Sequence, residues 1–176
     1  MKTDNIERYL NSFGKQVVNR AKGNLQRAKK GGALEDSIKF KVIPDAKGFR
    51  LEFYMSNYGA FVDKGVSGNK QSRKFKDYKN KTISSPYKYS NKQPPPDILA
   101  KWISKKGLKG RDKKTGRYIS NMSLAFIIGR KIKRDGIQGI SFFQKPLGLG
   151  LKQFGKDLLK NVKEDIIQEL QTTTVK

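Results

Sequence analysis

Two short runs of alternating apolar and polar residues constrain this chain most. Ile38, Phe40 and Val42 alternate with Lys39 and Lys41, and Phe49, Leu51, Phe53 and Met55 alternate with Arg50, Glu52 and Tyr54. A period of two gives each run one buried face and one wet face. Pro44-Asp45-Ala46-Lys47-Gly48, between them, has the composition of a turn. Residues 37–43 and 49–55 are therefore predicted to form an antiparallel hairpin whose apolar face needs a cover.

Helical periodicity at both ends of the chain can supply that cover. Over residues 4–30, Ile6, Tyr9, Leu10, Phe13, Val17, Ala21, Leu25 and Ala28 recur at steps of three and four. Asp4 with Glu7 resembles a capping box, and Gly31-Gly32 offers a left-handed stop after a basic last turn. Over roughly 150–171, Phe154, Leu158, Val162, Ile166 and Leu170 form a second stripe, flanked by Leu151, Leu159 and Ile167. Between these ends, Asp97 to Lys106 reads as a short helix closed by Gly107, with Ile98, Leu99, Trp102 and Ile103 as its stripe. Ser120 or Ser123 can cap a further helix that carries Leu124, Ile127, Ile128 and Ile132 and stops before Gly136. Gly139 to Phe143 reads as an added strand or extended edge.

Residues 66–96 break the pattern. Lys70, Arg73, Lys74, Lys76, Lys79, Lys81, Lys88 and Lys92 face a single acid, Asp77, with Phe75, Tyr78, Tyr87 and Tyr89 interleaved. The run ends in Pro94-Pro95-Pro96, which favours an extended backbone. It is expected to be a long basic arm that becomes ordered against a neighbour, with Lys70, Arg73, Lys74, Phe75, Lys76, Tyr78, Tyr87 and Tyr89 as its contact residues. The expected class is α+β: a small antiparallel β-sheet packed by long N- and C-terminal helices. The arm is inserted in a single domain spanning 1–176.

The chain carries 39 Lys and Arg against 15 Asp and Glu, a net charge of +24. Such a field favours an anionic partner, whether nucleic acid, membrane surface or acidic protein. From Lys64 to Arg117 there are 17 basic and three acidic residues, so +14 of the charge lies there. Basic loops with interleaved aromatics suit backbone-plus-stacking contact with nucleic acid. They suit better a flexible arm gripping an acidic protein surface, with its tyrosines as anchors. Apolar residues make up only 35%, which leaves a small core for this length and much of the chain as loop, arm or partner-facing surface.

With no Cys and no His, disulfides, thiolate or imidazole metal sites, Ser-His-Asp triads and Cys-His dyads are excluded. No apolar run approaches the roughly 20 residues that span a bilayer. The polar first 15 residues show no signal peptide. The reading is a soluble protein made in a cytoplasm. Gly107-Leu108-Lys109-Gly110-Arg111 and Gly148-Leu149-Gly150 fit no phosphate-loop fingerprint. Asp45, Glu52 and Asp63 cluster near the hairpin, but the acid-x-Lys of a metal nuclease is missing after Glu52. Asp63-Lys64 reads as a local salt-bridging or capping pair. No cofactor, metal or catalytic residue is assigned.

Three short segments, in order, carry a family resemblance. They are Gly32-Ala33-Leu34-Glu35-Asp36-Ser37-Ile38, then Tyr58 through Gly65, then Phe142-Phe143-Gln144-Lys145-Pro146-Leu147. Together they resemble the tail-completion, or head–tail joining (neck), proteins of tailed bacteriophages. The matching positions are Ser37, Ile38, Tyr58, Gly59, Phe61, Val62, Asp63, Gly65, Phe142, Phe143, Pro146 and Leu147; the middle, roughly 69–135, departs from the short members of the family. The resemblance implies a non-enzymatic virion protein at the head–tail interface, made in the host cytoplasm. It would form a homo-oligomeric ring, six-fold or twelve-fold, that seals the DNA channel. Its partners would be portal, connector or tail proteins, with contact to genomic DNA in the channel and none to membrane. Tyr58 and Phe61 would close the hairpin's apolar face, and Gly59 and Gly65 would permit tight turns. The alternative is a basic DNA-binding protein associated with the phage genome.

Overall fold

The alternating runs pair antiparallel in the computed structural model, which describes residues 4–45 and 48–174. In chain order the elements are α1 (Asp4–Arg27), α2 (Ala33–Ser37), β1 (Lys39–Asp45), β2 (Gly48–Tyr54), α3 (Gly59–Lys64), β3 (Gly65–Ser67), β4 (Lys74–Lys76), β5 (Thr82–Ser84), α4 (Pro96–Lys105), α5 (Asn121–Asp135), β6 (Gly136–Gln138) and α6 (Gln144–Thr174). Among the described residues the strands form three two-stranded sheets, β1–β2, β3–β6 and β4–β5. The class is α+β, with long helices at both ends of the chain. Ala46 and Lys47 of the expected turn lie outside the described residues, as does the side chain of Leu170.

The chain divides into two compact units. Unit 1 is Met1–Asp63, Lys76–Thr82 and Ile140–Lys176; unit 2 is Lys64–Phe75 and Ile83–Gly139.

Unit 1 holds the main core. Register places Phe40 opposite Phe53 and Val42 opposite Leu51, which gathers the apolar side chains on one face of the β1–β2 hairpin. Phe40, Leu51, Phe53 and Met55 pack there on Phe13, Val17, Val18, Ala21 and Leu25 of α1, with Leu34, Ile38, Phe142 and Phe143 completing the cluster. Helix α6 packs along α1, where Phe154 meets Phe13 edge-on at 4.8 Å and Tyr9 at 5.6 Å. Burial beside Phe154, with the Asp157 carboxylate nearby, raises the Tyr9 phenol above its ordinary pKa.

Three boundaries in unit 1 differ from expectation. Helix α1 stops at Arg27, and the left-handed residue is Lys29 (φ 53°) rather than Gly31. The Lys30 amide reaches back to the Leu25 carbonyl at 2.9 Å, a Schellman closure with lysine where glycine is usual. Lys29→Gly is therefore expected to stabilise the fold by about 1 kcal/mol, read as a shift in urea midpoint. Ser37 ends α2 instead of starting a strand, because its hydroxyl donates to the Leu34 carbonyl at 2.7 Å. Helix α6 begins at Gln144, well before residue 150. Pro146 is tolerated in its first turn, where a missing amide costs nothing. Gly150 lets Phe13 approach so closely that an added Cβ would sit 2.7 Å from the ring.

Unit 2 packs α4 against α5 and pairs β3 with β6. The local signals here hold. Gly107 (φ 63°) closes α4, with Leu108 bonded back to Ile103 at 3.1 Å. The Ser120 hydroxyl accepts from the Ser123 amide at 3.1 Å to cap α5, and Gly136 ends it. Gly65 and Gly136 both take φ of 75°, and each lies against the other strand's backbone too closely for a Cβ. The expected strand at 139–143 is displaced to Gly136–Gln138, because pairing to β3 is what makes this segment extended.

The segment 66–96 is not an arm separate from the fold. It contributes β4, β5 and most of β3, and Phe75 is buried. Its backbone is held by partners far along the chain: the Asn69 and Lys70 amides donate to the Lys133 and Arg134 carbonyls at 2.9 and 3.0 Å. Non-local bonds of this kind leave no periodic trace in sequence.

Candidate functional site

The resemblance residues of unit 1 come together. Val62 and Ile38 pack in the same cluster as Phe142, Phe143 and Leu147. The Ser37 hydroxyl also accepts the Ser56 amide at 3.0 Å, tying the end of β2 to the end of α2. Asp63 is 3% exposed, and its carboxylate accepts the Phe143 amide at 2.8 Å. Asp63 is thus a capping residue, but for α6, not for its own segment. Its backbone carbonyl accepts from Ser141 at 2.9 Å. Pro146 is buried in the first turn of α6.

Tyr58 and Phe61 do not close the hairpin face; each is 44% exposed. The reason is helical geometry. Within α3, positions 59, 62 and 63 share one face and turn inward, which carries 58 and 61 to the outer side. Gly59 is small for close packing rather than for a turn, since a Cβ there would meet the Met55 sulfur at 2.8 Å and Leu34 at 3.0 Å.

The eight expected contact residues are divided. Lys76 and Tyr78 belong to unit 1, where their amides donate to Ser141 Oγ and Gln144 Oε1 at 3.1 Å each. The other six belong to unit 2. Arg73 caps the end of α5, with Nε 2.7 Å from the Asp135 carbonyl. Phe75 is core. Ser67 organises the rest: its amide donates to the Tyr87 carbonyl, its carbonyl accepts from Tyr89, and its hydroxyl accepts from Arg73, all within 3.0 Å. Tyr89 is half-buried, and that burial raises its phenol pKa. Lys70 and Lys74 keep exposed side chains.

Comparison with protein-family models, with curated proteins and with solved structures finds no significant match. The site must therefore be read from its own chemistry. Asp45 and Glu52 share one partner, Arg50, at 3.0 and 3.4 Å, while Asp63 is buried under α6, so the three acids form no cluster. Among the described residues no group of His, Cys, Asp or Glu is arranged to hold a metal ion. Nor is any described helix long and apolar enough to cross a membrane.

Two surface properties stand out instead. Unit 2 carries 18 of the 39 basic residues and only three acids, Asp97, Asp112 and Asp135, giving it +15 of the net +24. Those acids all have local roles. Asp97 lies in the first turn of α4, Asp112 holds a turn, and Asp135 pairs with Arg134 at 2.7 Å. The second property is exposed apolar surface. Ile98 (64% exposed) and Trp102 share one face of α4, and Met122 and Phe126 share one of α5. Leu159 on α6 is 71% exposed.

Sequence reading missed Ser67 and Asp165. Asp165 is fully buried and accepts the Asn5 and Ile6 amides at 3.2 and 3.1 Å, capping α1 from the far end of the chain. A cap 160 residues away has no local signature.

Proposed function

We propose that this chain is a non-enzymatic structural component of the head–tail joint of a tailed bacteriophage. It would assemble as a homo-oligomeric ring at the portal vertex and meet connector, portal or tail proteins on its faces. The observation that supports this reading most is the convergence of the three resemblance segments. Ile38, Val62, Asp63, Phe142, Phe143 and Leu147 build one junction in unit 1 where hairpin, α3 and α6 meet. Motif residues gathered largely at a core junction fit a scaffold protein.

The lean composition and the exposed apolar residues of α4, α5 and α6 fit a chain that covers surface on assembly. Ring formation is expected in mass photometry of purified chain or of the complex released from particles. For a 20.0 kDa subunit, rings of six or twelve would appear at about 120 or 240 kDa. Monomers alone in solution, with no ring in assembled particles, would overturn the reading.

The charge of unit 2 favours a second reading, a DNA-binding protein associated with the genome. Copy number separates the two. A ring component is present at a fixed six or twelve per particle, whereas a genome-coating protein scales with DNA length.

A further inference from the structure

The second basic loop of the sequence is a built hairpin. Arg111 pairs antiparallel with Tyr118, the Asp112 amide donates to the Arg117 carbonyl at 2.9 Å, and the Ile119 amide donates to the Gly110 carbonyl at 3.0 Å. Asp112 shapes the tip. Its Oδ1 accepts the Lys114 amide at 2.9 Å, the Thr115 amide at 2.8 Å and the Thr115 hydroxyl at 3.1 Å. These bonds, the Thr115 amide foremost, hold its carboxyl below the ordinary aspartate pKa. Gly116 (φ 68°) turns the chain back. At the base Ile119 and Leu124 lie close over Gly110, where an added Cβ would meet them at 3.0 and 3.1 Å.

This frame displays five cations, Lys109, Arg111, Lys113, Lys114 and Arg117, all exposed, and its one acid is occupied within the turn. Arg111 lies 4.4 Å from the centroid of the Tyr118 ring and donates to its hydroxyl at 2.6 Å. Lys109 approaches the same ring at 5.7 Å. Tyr118 therefore acts as a strut that fixes two cations.

We propose that the hairpin Gly110–Ile119, with Lys109, is a sequence-independent contact for the phosphate backbone of DNA. A two-stranded ribbon fits a groove about 12 Å wide and brings its cations to the phosphates along it. The tip from Asp112 to Arg117 carries no large apolar side chain, so it offers no wedge for a bilayer, and lysine, its commonest residue, is depleted at protein interfaces. A lysine-rich, exposed element has the composition of a nucleic-acid interface. The inference rests on the charge of unit 2 and is independent of ring formation: a monomer could bind this way, and a ring could form without it.

The test is fluorescence anisotropy of the full chain on two unrelated labelled duplexes of about 20 bp, between about 50 and 200 mM NaCl. Wild type should bind both sequences about equally. K113E/K114E should weaken binding about tenfold or more and flatten the salt slope by about two. The same reversal at the exposed α6 lysines, K160E/K163E, should cost less than about threefold. D112A raises the net charge yet should weaken binding, because it loosens the frame. Equal losses from the two lysine pairs, or tighter binding by D112A, would show diffuse attraction and overturn the proposal. So would a hairpin effect seen on polyglutamate or phosphatidylserine vesicles but not on duplex.

Discussion

Phe142→Ala is expected to destabilise the fold by about 3–5 kcal/mol, the range for emptying a large buried aromatic site. Phe142 is 0% exposed and sits among Phe13, Val17, Ala21, Leu25 and Ile38, so the hole would be walled by α1 and the hairpin. The residue's carbonyl also accepts the Asn24 side chain at 3.2 Å, which pins the start of α6 to α1. Urea denaturation followed by far-UV circular dichroism measures the loss. Phe142→Leu should cost clearly less, because it keeps most of the volume. A loss below about 1 kcal/mol for the alanine variant would show that this is not the centre of the core.

Asp63→Ala should cost about 2–4 kcal/mol, combining a lost helix cap with an orphaned buried amide. The carboxylate, inside unit 1, satisfies the Phe143 amide and lies 3.5 Å from that of Gln144, so it serves the positive end of α6. Asp63→Asn keeps an acceptor and should recover much of the loss, which separates hydrogen bonding from charge. Amide exchange at Phe143 would report the local opening directly. Protection at Phe143 unchanged in the alanine variant would remove Asp63 as the cap.

The pair of predictions also marks how far the sequence could be read. The β1–β2 hairpin, the run of α1, the Gly107 stop and the Ser120 cap were legible because each is written within a few residues. A period of two, a period of 3.6, a glycine past a helix end and a serine before one are local physical signals. The short elements were not legible. Helices α2 and α3 have five and six residues, too few for a periodicity to show. Strands β3 and β6 have three residues each and become strands by pairing with each other across about 70 positions. The segment 66–96 looked like an arm because its composition is that of one; many of the bonds that hold it reach residues 133–144.

The candidate residues divide in the same way. Ile38, Phe142 and Phe143 were legible as apolar positions, and their meeting in one core follows from needing a common dry face. Asp63 was legible as a cap, but which helix it caps was not, because the acceptor and its donor lie 80 residues apart. Tyr58 and Phe61 were read as inward-facing, and the turn of α3 sends them out.

The sequence alone determined the class of the fold, the hairpin under its long helices and the positive charge. These follow from composition and short-range period, which no tertiary contact can alter. The tertiary structure decided which carboxylates cap which helices, that the basic middle is a folded unit, and that one loop becomes a hydrogen-bonded hairpin with its cations exposed. Those outcomes depend on hydrogen bonds between distant residues, and their free energy exists only once the chain has brought the partners together.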